Sequence, residues 1–183
     1  MRIIAGSCKG RPILAPKGMD TRPTLDRVKE SLFGIIQFQI YGKTVLDLFA
    51  GSGNLGLEAL SRGASFAAFN DMSRDAVKVI RANIEKLGFE QKSVVMNVDF
   101  AQAIRSLSAR RVDIVFLDPP YRAGLMEKAL KELSTAGILN DGAMVIAEHD
   151  AHIAPVDTGA LVLYDRRIYR DTALSFYRLE GEE

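Results

Sequence analysis

The chain has 183 residues, 48% of them hydrophobic, with 24 Lys and Arg against 23 Asp and Glu; this fits one globular domain with a full core and leaves no room for two large ones. No apolar run approaches the roughly 18 residues of a membrane span, and Met1-Arg2-Ile3-Ile4-Ala5-Gly6 lacks the apolar stretch of a secretory leader, so a cytoplasmic protein with no membrane partner is expected. Cys8 is a lone cysteine and the only histidines are His149 and His152, so neither an internal disulfide nor a metal is expected.

The net charge of +1 is unevenly spread. Residues 1–30 carry seven bases against three acids, a net of +4, which leaves −3 for residues 31–183. A basic segment on a slightly acidic body suits a protein that meets a polyanion with one end, because each phosphate contact releases counterions. Within that segment, Arg2 to Ala5 and Arg11 to Ala15 read as short strand-like pieces joined by Gly6-Ser7-Cys8-Lys9-Gly10, a hairpin with Lys9 at its tip. After Pro16-Lys17-Gly18, Thr24 is the expected N-cap of a helix whose apolar face is Leu25, Val28, Leu32, Ile35 and Ile36, which leaves Arg22, Arg27 and Lys29 off that face.

Val45 to Ala50 forms the first sheet strand and runs into Gly51-Ser52-Gly53-Asn54-Leu55-Gly56 and a helix that Gly63 ends. Strand, glycine turn and helix let a nucleotide-like ligand approach the backbone closely. The pattern fits a dinucleotide as well. Asp47 separates the two, since a carboxylate beside a pyrophosphate is repulsive whereas it attracts the ammonium of an amino-acid moiety; its sign favours S-adenosylmethionine over NAD. Asp47 and Phe49, Ala50, Gly51, Ser52 and Gly53 are therefore candidate cofactor contacts. Ser65 to Asn70 is the next strand and ends at Asp71, twenty residues beyond Gly51, where an acid accepts ribose hydroxyls. Met72 is placed to lie on the adenine. Ser73 caps a helix with core positions Val77, Ile80, Ile84 and Leu87, and Gly88 stops it. After a third strand, Val94 to Met96, Asp99 and Phe100 are candidates to take the adenine amino group and flank its ring, with helix capping the alternative for Asp99.

The apolar run Val112 to Leu117 has the length and β-branched content of a strand buried on both faces, and Pro119 cannot continue a central strand. Asp118-Pro119-Pro120-Tyr121 is thus delivered to the carboxyl end of the sheet, where ligands bind in open α/β folds. A carboxylate, a proline carbonyl and a flat ring suit a planar amine: the first two accept its N–H protons and Tyr121 stacks on the attached base. Arg122 follows as a candidate phosphate contact. A helix with Leu125, Ala129, Leu130 and Leu133, a fifth strand over Met144 to Ala147 ending at Glu148-His149, and an antiparallel closing pair, Leu161 to Tyr164 and Leu174 to Leu179 with Arg166, Arg167 and Arg170 in its turn, complete the chain. The expected fold is α/β: a doubly wound, mostly parallel, seven-stranded sheet with a small N-terminal β-hairpin extension, divided at residues 1–20 and 21–183.

Asp47-Leu48-Phe49-Ala50-Gly51-Ser52-Gly53, Gly56-Leu57-Glu58-Ala59-Leu60-Ser61-Arg62-Gly63-Ala64 and Asp118-Pro119-Pro120-Tyr121 together resemble a class I S-adenosylmethionine-dependent N-methyltransferase. Arg2-Ile3-Ile4-Ala5-Gly6, Lys9-Gly10-Arg11, Thr21-Arg22-Pro23-Thr24, Asp26-Arg27-Val28, Leu32-Phe33 and the tail Asp171 to Tyr177 resemble the RsmD family, 16S ribosomal RNA guanine-N2 methyltransferases. The resemblance implies a Rossmann-like fold and methyl transfer from S-adenosylmethionine to N2 of a guanine in 16S rRNA or the small ribosomal subunit. It also implies Asp118, Pro119, Pro120 and Tyr121 as catalytic residues, and Arg2, Lys9, Arg11, Lys17, Arg22, Arg27 and Arg122 as RNA contacts of a monomer. Transfer to a DNA base or protein glutamine, or a non-catalytic assembly factor, are the competing readings. Asn54, Asp71 and Arg170 stand where the family usually carries a small residue, a glutamate and a glycine.

Overall fold

The structure is a computed structural model that describes residues 1–16, 23–120, 124–155, 158 and 160–179, with backbone only at 23–26. Among these the elements run α1 (Pro23–Ile35), β1 (Thr44–Asp47), α2 (Asn54–Ser61), β2 (Phe66–Asn70), α3 (Arg74–Leu87), β3 (Ser93–Met96), α4 (Phe100–Ser106), β4 (Val112–Leu117), α5 (Leu125–Thr135), β5 (Leu139–Asp150), β6 (Leu161–Tyr169) and β7 (Thr172–Leu179). One seven-stranded sheet has the order β3-β2-β1-β4-β5-β7-β6. All neighbours from β3 to β5 are parallel, and β7 is antiparallel to both β5 and β6. The chain order reverses between β1 and β4, so a crevice opens there at the carboxyl ends of the strands.

Helices cover both faces. Val28, Leu32 and Phe33 of α1, Leu57 and Leu60 of α2, and Ile80 and Ile84 of α3 pack with Val45, Phe116 and Ile146 on one side. Ile104 of α4 and Ala129, Leu130 and Leu133 of α5 pack with Leu46, Val115 and Val145 on the other. The helical spacing of Val77, Ile80, Ile84 and Leu87 buries one stripe of α3, whose ends are set by local chemistry: the Ser73 hydroxyl accepts from Ala76 N–H, and Gly88 takes φ 77°.

Two strand lengths differ from expectation. β5 spans 139–150 rather than 144–147 because Leu139 pairs with Val112 of β4 ahead of a register shift and β7 pairs from Met144↔Arg178 to Asp150↔Thr172; those partners lie outside any local pattern. β6 runs on through Asp165, Arg166 and Arg167, which an edge strand tolerates because its outer side faces water. Only Arg170 and Asp171 are left for the turn, and Arg170 has φ 57°. The helix α1 begins at Pro23, so Thr24 lies within it rather than capping it.

The N-terminal pieces meet in a single bridge, Arg2↔Pro12, rather than a ladder, because Pro12 has no N–H to extend it. Ile3, Cys8 and Ile13 are buried in the same core cluster as Phe33 and Leu57, so the described part of this segment shares the core of the sheet domain. Its anchor is Glu58 of α2, fully buried. The carboxylate accepts from Ile4 N–H (2.8 Å), Ala5 N–H (3.0 Å), Lys29 Nζ (2.8 Å) and Arg62 Nε (2.8 Å). Lys29 also donates to the Arg2 carbonyl (3.0 Å) and Asn54 Oδ1 (2.6 Å). Lys29 is thus 3% exposed, not one of the free bases of the helix, and Asn54 serves as its acceptor. Gly6 cannot be replaced, since a Cβ there would stand 1.8 Å from the Ser61 carbonyl oxygen.

Removing one member of a buried ionic network strands its partners, so Glu58→Ala is expected to lower unfolding free energy by about 3–5 kcal/mol in urea denaturation. Arg170→Gly is expected to raise it by about 0.5–1 kcal/mol, since left-handed backbone costs a side-chain-bearing residue about 1–2 kcal/mol and glycine returns part of that as chain entropy.

Candidate active site

The crevice is built from the ends of β1, β2, β4 and β5. Asp47 pairs with Phe116 across β1 and β4, and Leu117 with Ala147 across β4 and β5. One residue further, Asp118 stands beside Glu148. Side chains alternate along a strand, and Phe116 and Ile146 point into the core under α1, so Asp118 and Glu148, two residues on, face the same way at the open end. Pro119 is buried and Pro120 exposed; Tyr121 and Arg122 lie outside the described residues, as do Lys17 and Arg22.

The glycine turn has the conformation its sequence demands. Gly53 takes φ 80°, and a Cβ on Gly56 would stand 2.3 Å from the Phe69 ring, so only glycine lets α2 sit this close to β2. Asp47 braces the turn from beneath: its carboxylate accepts from Gly56 N–H at 2.9 Å and is only 2% exposed. Its carboxylate is thus committed to the turn rather than standing open in the crevice. Asp71 reaches back to accept from Gly51 N–H (2.9 Å) and from Ser73 N–H (2.8 Å), which holds the second strand end against the turn. Met72 beside it is 74% exposed, an apolar side chain left uncovered at the rim. Phe49 and Phe100 face each other with ring centroids 6.0 Å apart, and Asp99 caps α4 by accepting from Gln102 N–H at 3.0 Å. Ala50, Gly51 and Ser52 are buried in the turn itself.

The electrostatics are one-sided. Burial, then the charges of Asp118 and Asp71, push Asp47 up to about 7 despite its bond to Gly56. Asp118 keeps solvent access, but dense protein around the crevice floor raises it to about 6. Burial and the neighbouring Asp118 raise Glu148 to about 8. No local pattern singles out Glu148; only the β4–β5 register brings it next to Asp118. Three acids that resist ionising together make a cavity that favours a cation. A positively charged cofactor carrying an amino-acid ammonium and a sulfonium matches this field, the exposed Met72 offers a surface for a flat base, and the glycine turn admits close approach. Among the described residues no three His, Cys, Asp or Glu gather as a metal set.

The basic residues expected to hold RNA are divided. The Arg2 carbonyl is held near the start of α2, at the crevice end, by Lys29. The loop carrying Lys9 runs down α2 instead, with Ser7 N–H on the Ser61 carbonyl (2.8 Å) and Cys8 N–H on the Ser61 hydroxyl (3.0 Å). Arg11 donates to the Lys86 carbonyl at the end of α3. Lys9 and Arg11 are thus exposed toward the opposite end of α2 from the glycine turn, and Arg27 is exposed on α1.

A family model described as conserved hypothetical protein 95 matches residues 1–178. The chain belongs to this family, that of RsmD. It is 34% identical over 183 residues to Ribosomal RNA small subunit methyltransferase D of Escherichia coli strain K12, covering 100% of this chain and 91% of that protein. The protein of the same name from Haemophilus influenzae is 38% identical over 154 residues, 81% of this chain and 78% of its own. A solved Escherichia coli structure, yhhF, superposes with a TM-score of 0.89 at 34% identity, covering 100% of this chain and 99% of that one. The family and the doubly wound, Rossmann-like fold read from the sequence motifs are those found.

The raised carboxyls fix a sign for pH dependence. In the unfolded chain these acids are ionised well below pH 7, whereas the folded chain still holds protons on Asp47 and Glu148 at about pH 7 to about pH 8. The folded state then binds more protons, so stability present at lower pH is lost as pH rises through that window. His149, held below its ordinary 6.5 chiefly by burial, adds nothing there. Denaturant midpoints of the ligand-free protein should fall from about pH 6.5 to about pH 8.5, and Glu148→Gln should flatten the slope.

Proposed function

We propose that this chain transfers a methyl group from S-adenosylmethionine to the exocyclic N2 of a guanine in 16S rRNA of the small ribosomal subunit. The observation that carries the reading is the meeting of Asp118-Pro119-Pro120, from the end of β4, with the glycine turn after β1 in one crevice where Asp118 and Glu148 stand side by side. The names of the family relatives support ribosomal RNA as the substrate class.

Asp47, Phe49, Ala50, Gly51, Ser52 and Gly53, with Asp71, Met72, Asp99 and Phe100, would hold the cofactor. S-adenosylmethionine, when bound, supplies an electrophilic methyl on a positive sulfur. The work of the chain is then positional. The Asp118 carboxylate and the Pro119 carbonyl accept the two N–H bonds of the guanine amine, which frees its lone pair for attack. Tyr121 stacks on the flipped-out base, and this interaction, worth about 1–3 kcal/mol, offsets part of the few kcal/mol lost on unstacking. Holding both reactants in register supplies about 7–11 kcal/mol of the barrier reduction, so no strong base is needed. The proton leaving the amine passes to the Asp118 carboxylate, and Glu148 beside it holds its own proton at neutral pH, which keeps the pair from carrying two negative charges. Exposed Arg2, Lys9, Arg11 and Arg27, with Lys17, Arg22 and Arg122, would contact phosphates, while the protein acts as a cytoplasmic monomer.

The decisive measurement is mass spectrometry of rRNA nucleosides from cells with and without the gene, in which loss of N2-methylguanosine is expected. Incubation of the purified protein and labelled cofactor with ribosomal RNA, DNA and protein should label the RNA alone. Asp118→Ala should lower that incorporation by roughly 10²–10³-fold, the scale of losing one oriented polar group at a reacting centre. Label in DNA or protein glutamine instead would overturn the guanine assignment.

A further inference from the structure

The family resemblance implies RNA contacts in the N-terminal segment and at Arg122, and the structure carries a further basic face. The strand register sets Asp118, Glu148, Leu174 and Arg167 in one row across β4, β5, β7 and β6. All point to the face that carries α1. Three strand-to-strand steps of about 4.8 Å put Arg167 roughly 14 Å from Asp118, beyond the base-binding end of the crevice. Arg167 is 56% exposed, its Nε held by Asp165 at 2.9 Å. Below it on the same face, the Arg178 guanidinium lies 4.7 Å over the Tyr164 ring, and Tyr164 is 45% exposed. Above it the hydroxyl of Tyr169 bonds that of Ser31, which ties the strip to α1, where exposed Arg27 lies one turn earlier. At the top the turn carries Arg170 out to solvent at φ 57°, and Ala151 N–H fixes the turn at the crevice end through the Asp171 carbonyl (2.8 Å).

We infer that this strip, Arg167, Arg170 and Arg178 with Tyr164 and with Arg27 of α1, is a docking surface for the RNA strand flanking the modified base, an inference that rests on the function proposed above. Three guanidiniums and that of Arg27 stand against the carboxylates of Asp165, Asp171 and Asp150, four positive charges to three, and Asp150 is already engaged by His152. An exposed tyrosine already stacked by a guanidinium offers a platform that accepts any base, while the arginines meet phosphates; that pairing is how proteins hold single-stranded tracts without reading sequence. A side chain kept in the left-handed region at the lip of a crevice is strain of the kind retained at functional positions. Another copy of the chain is disfavoured as the occupant: β6 is an edge strand, but Asp165, Arg166 and Arg167 in its middle oppose edge-to-edge pairing.

The test uses the full-length protein and small ribosomal subunits lacking the modification. In the triple variant Arg167→Gln, Arg170→Gly and Arg178→Gln, KM for the subunits should rise roughly tenfold at physiological salt, with the slope of log KM against log salt shallower by about 2. The kcat should stay within about twofold, because no reacting group is touched. An unchanged KM and salt slope in a variant that melts no lower than the parent would overturn the surface. Loss of a concentration-dependent dimer, seen by sedimentation, would assign the strip to a second copy and also overturn it. A parent protein that methylates no ribosomal RNA would refute the function itself, a different result from an active parent with indifferent variants.

Discussion

The carboxylate of Glu58 ties the glycine-turn side of the crevice to the first helix and the start of the chain. It lies on α2 directly after the glycine turn, and takes two backbone N–H groups of the N-terminal segment, the ammonium of α1 and the guanidinium of its own helix. Burying a full charge is tolerated only when its hydrogen-bonding capacity is met, and here four donors meet it. Lys29 passes the constraint on, since it also holds Asn54 at the start of α2 and the Arg2 carbonyl. The turn, α1 and the first residues of the chain are therefore set relative to one another by a single ionic cluster. Phe33 then packs against Phe116, with ring centroids 5.6 Å apart, two residues before Asp118.

The acids of the crevice follow the opposite rule. Asp47 and Glu148 sit where burial and the charge of neighbouring Asp118 oppose ionisation, and no described cation answers them. The fold contains a balanced carboxylate in its scaffold and unbalanced ones in its site, and the contrast is what a ligand of positive charge would exploit. Arg170 extends the same theme to backbone geometry: a regular sheet ends in a turn whose conformation suits glycine yet carries a guanidinium.

Much of this is legible in the sequence. Val112 to Leu117, stopped by two prolines, marks a buried central strand and the acid it delivers; Ser73 and Gly88 bracket α3 to the residue; the spacing of Gly51, Gly53 and Gly56 announces the turn, and Gly56 meets the Phe69 ring as close packing requires. These signals are local. Nothing local marks Glu58 or Lys29 as core: Lys29 reads as a base off the apolar face of its helix, and only contacts 25 to 54 residues apart bury the pair. Glu148 was hidden for the same reason, since its neighbour is fixed by strand register. The lengths of β5 and β6 depend on β7, which comes last in the chain.

That last point bears on how the molecule is made. Until Thr172 to Leu179 leave the ribosome, β5 has no partner on its outer side, and a long apolar edge running from Ala143 to Ala147 is open to any passing strand. The growing chain must hold that edge apart from its neighbours from the synthesis of Asp150 until that of Leu179. A chain cut between those two points would therefore be a sticky fragment rather than a merely weakened protein.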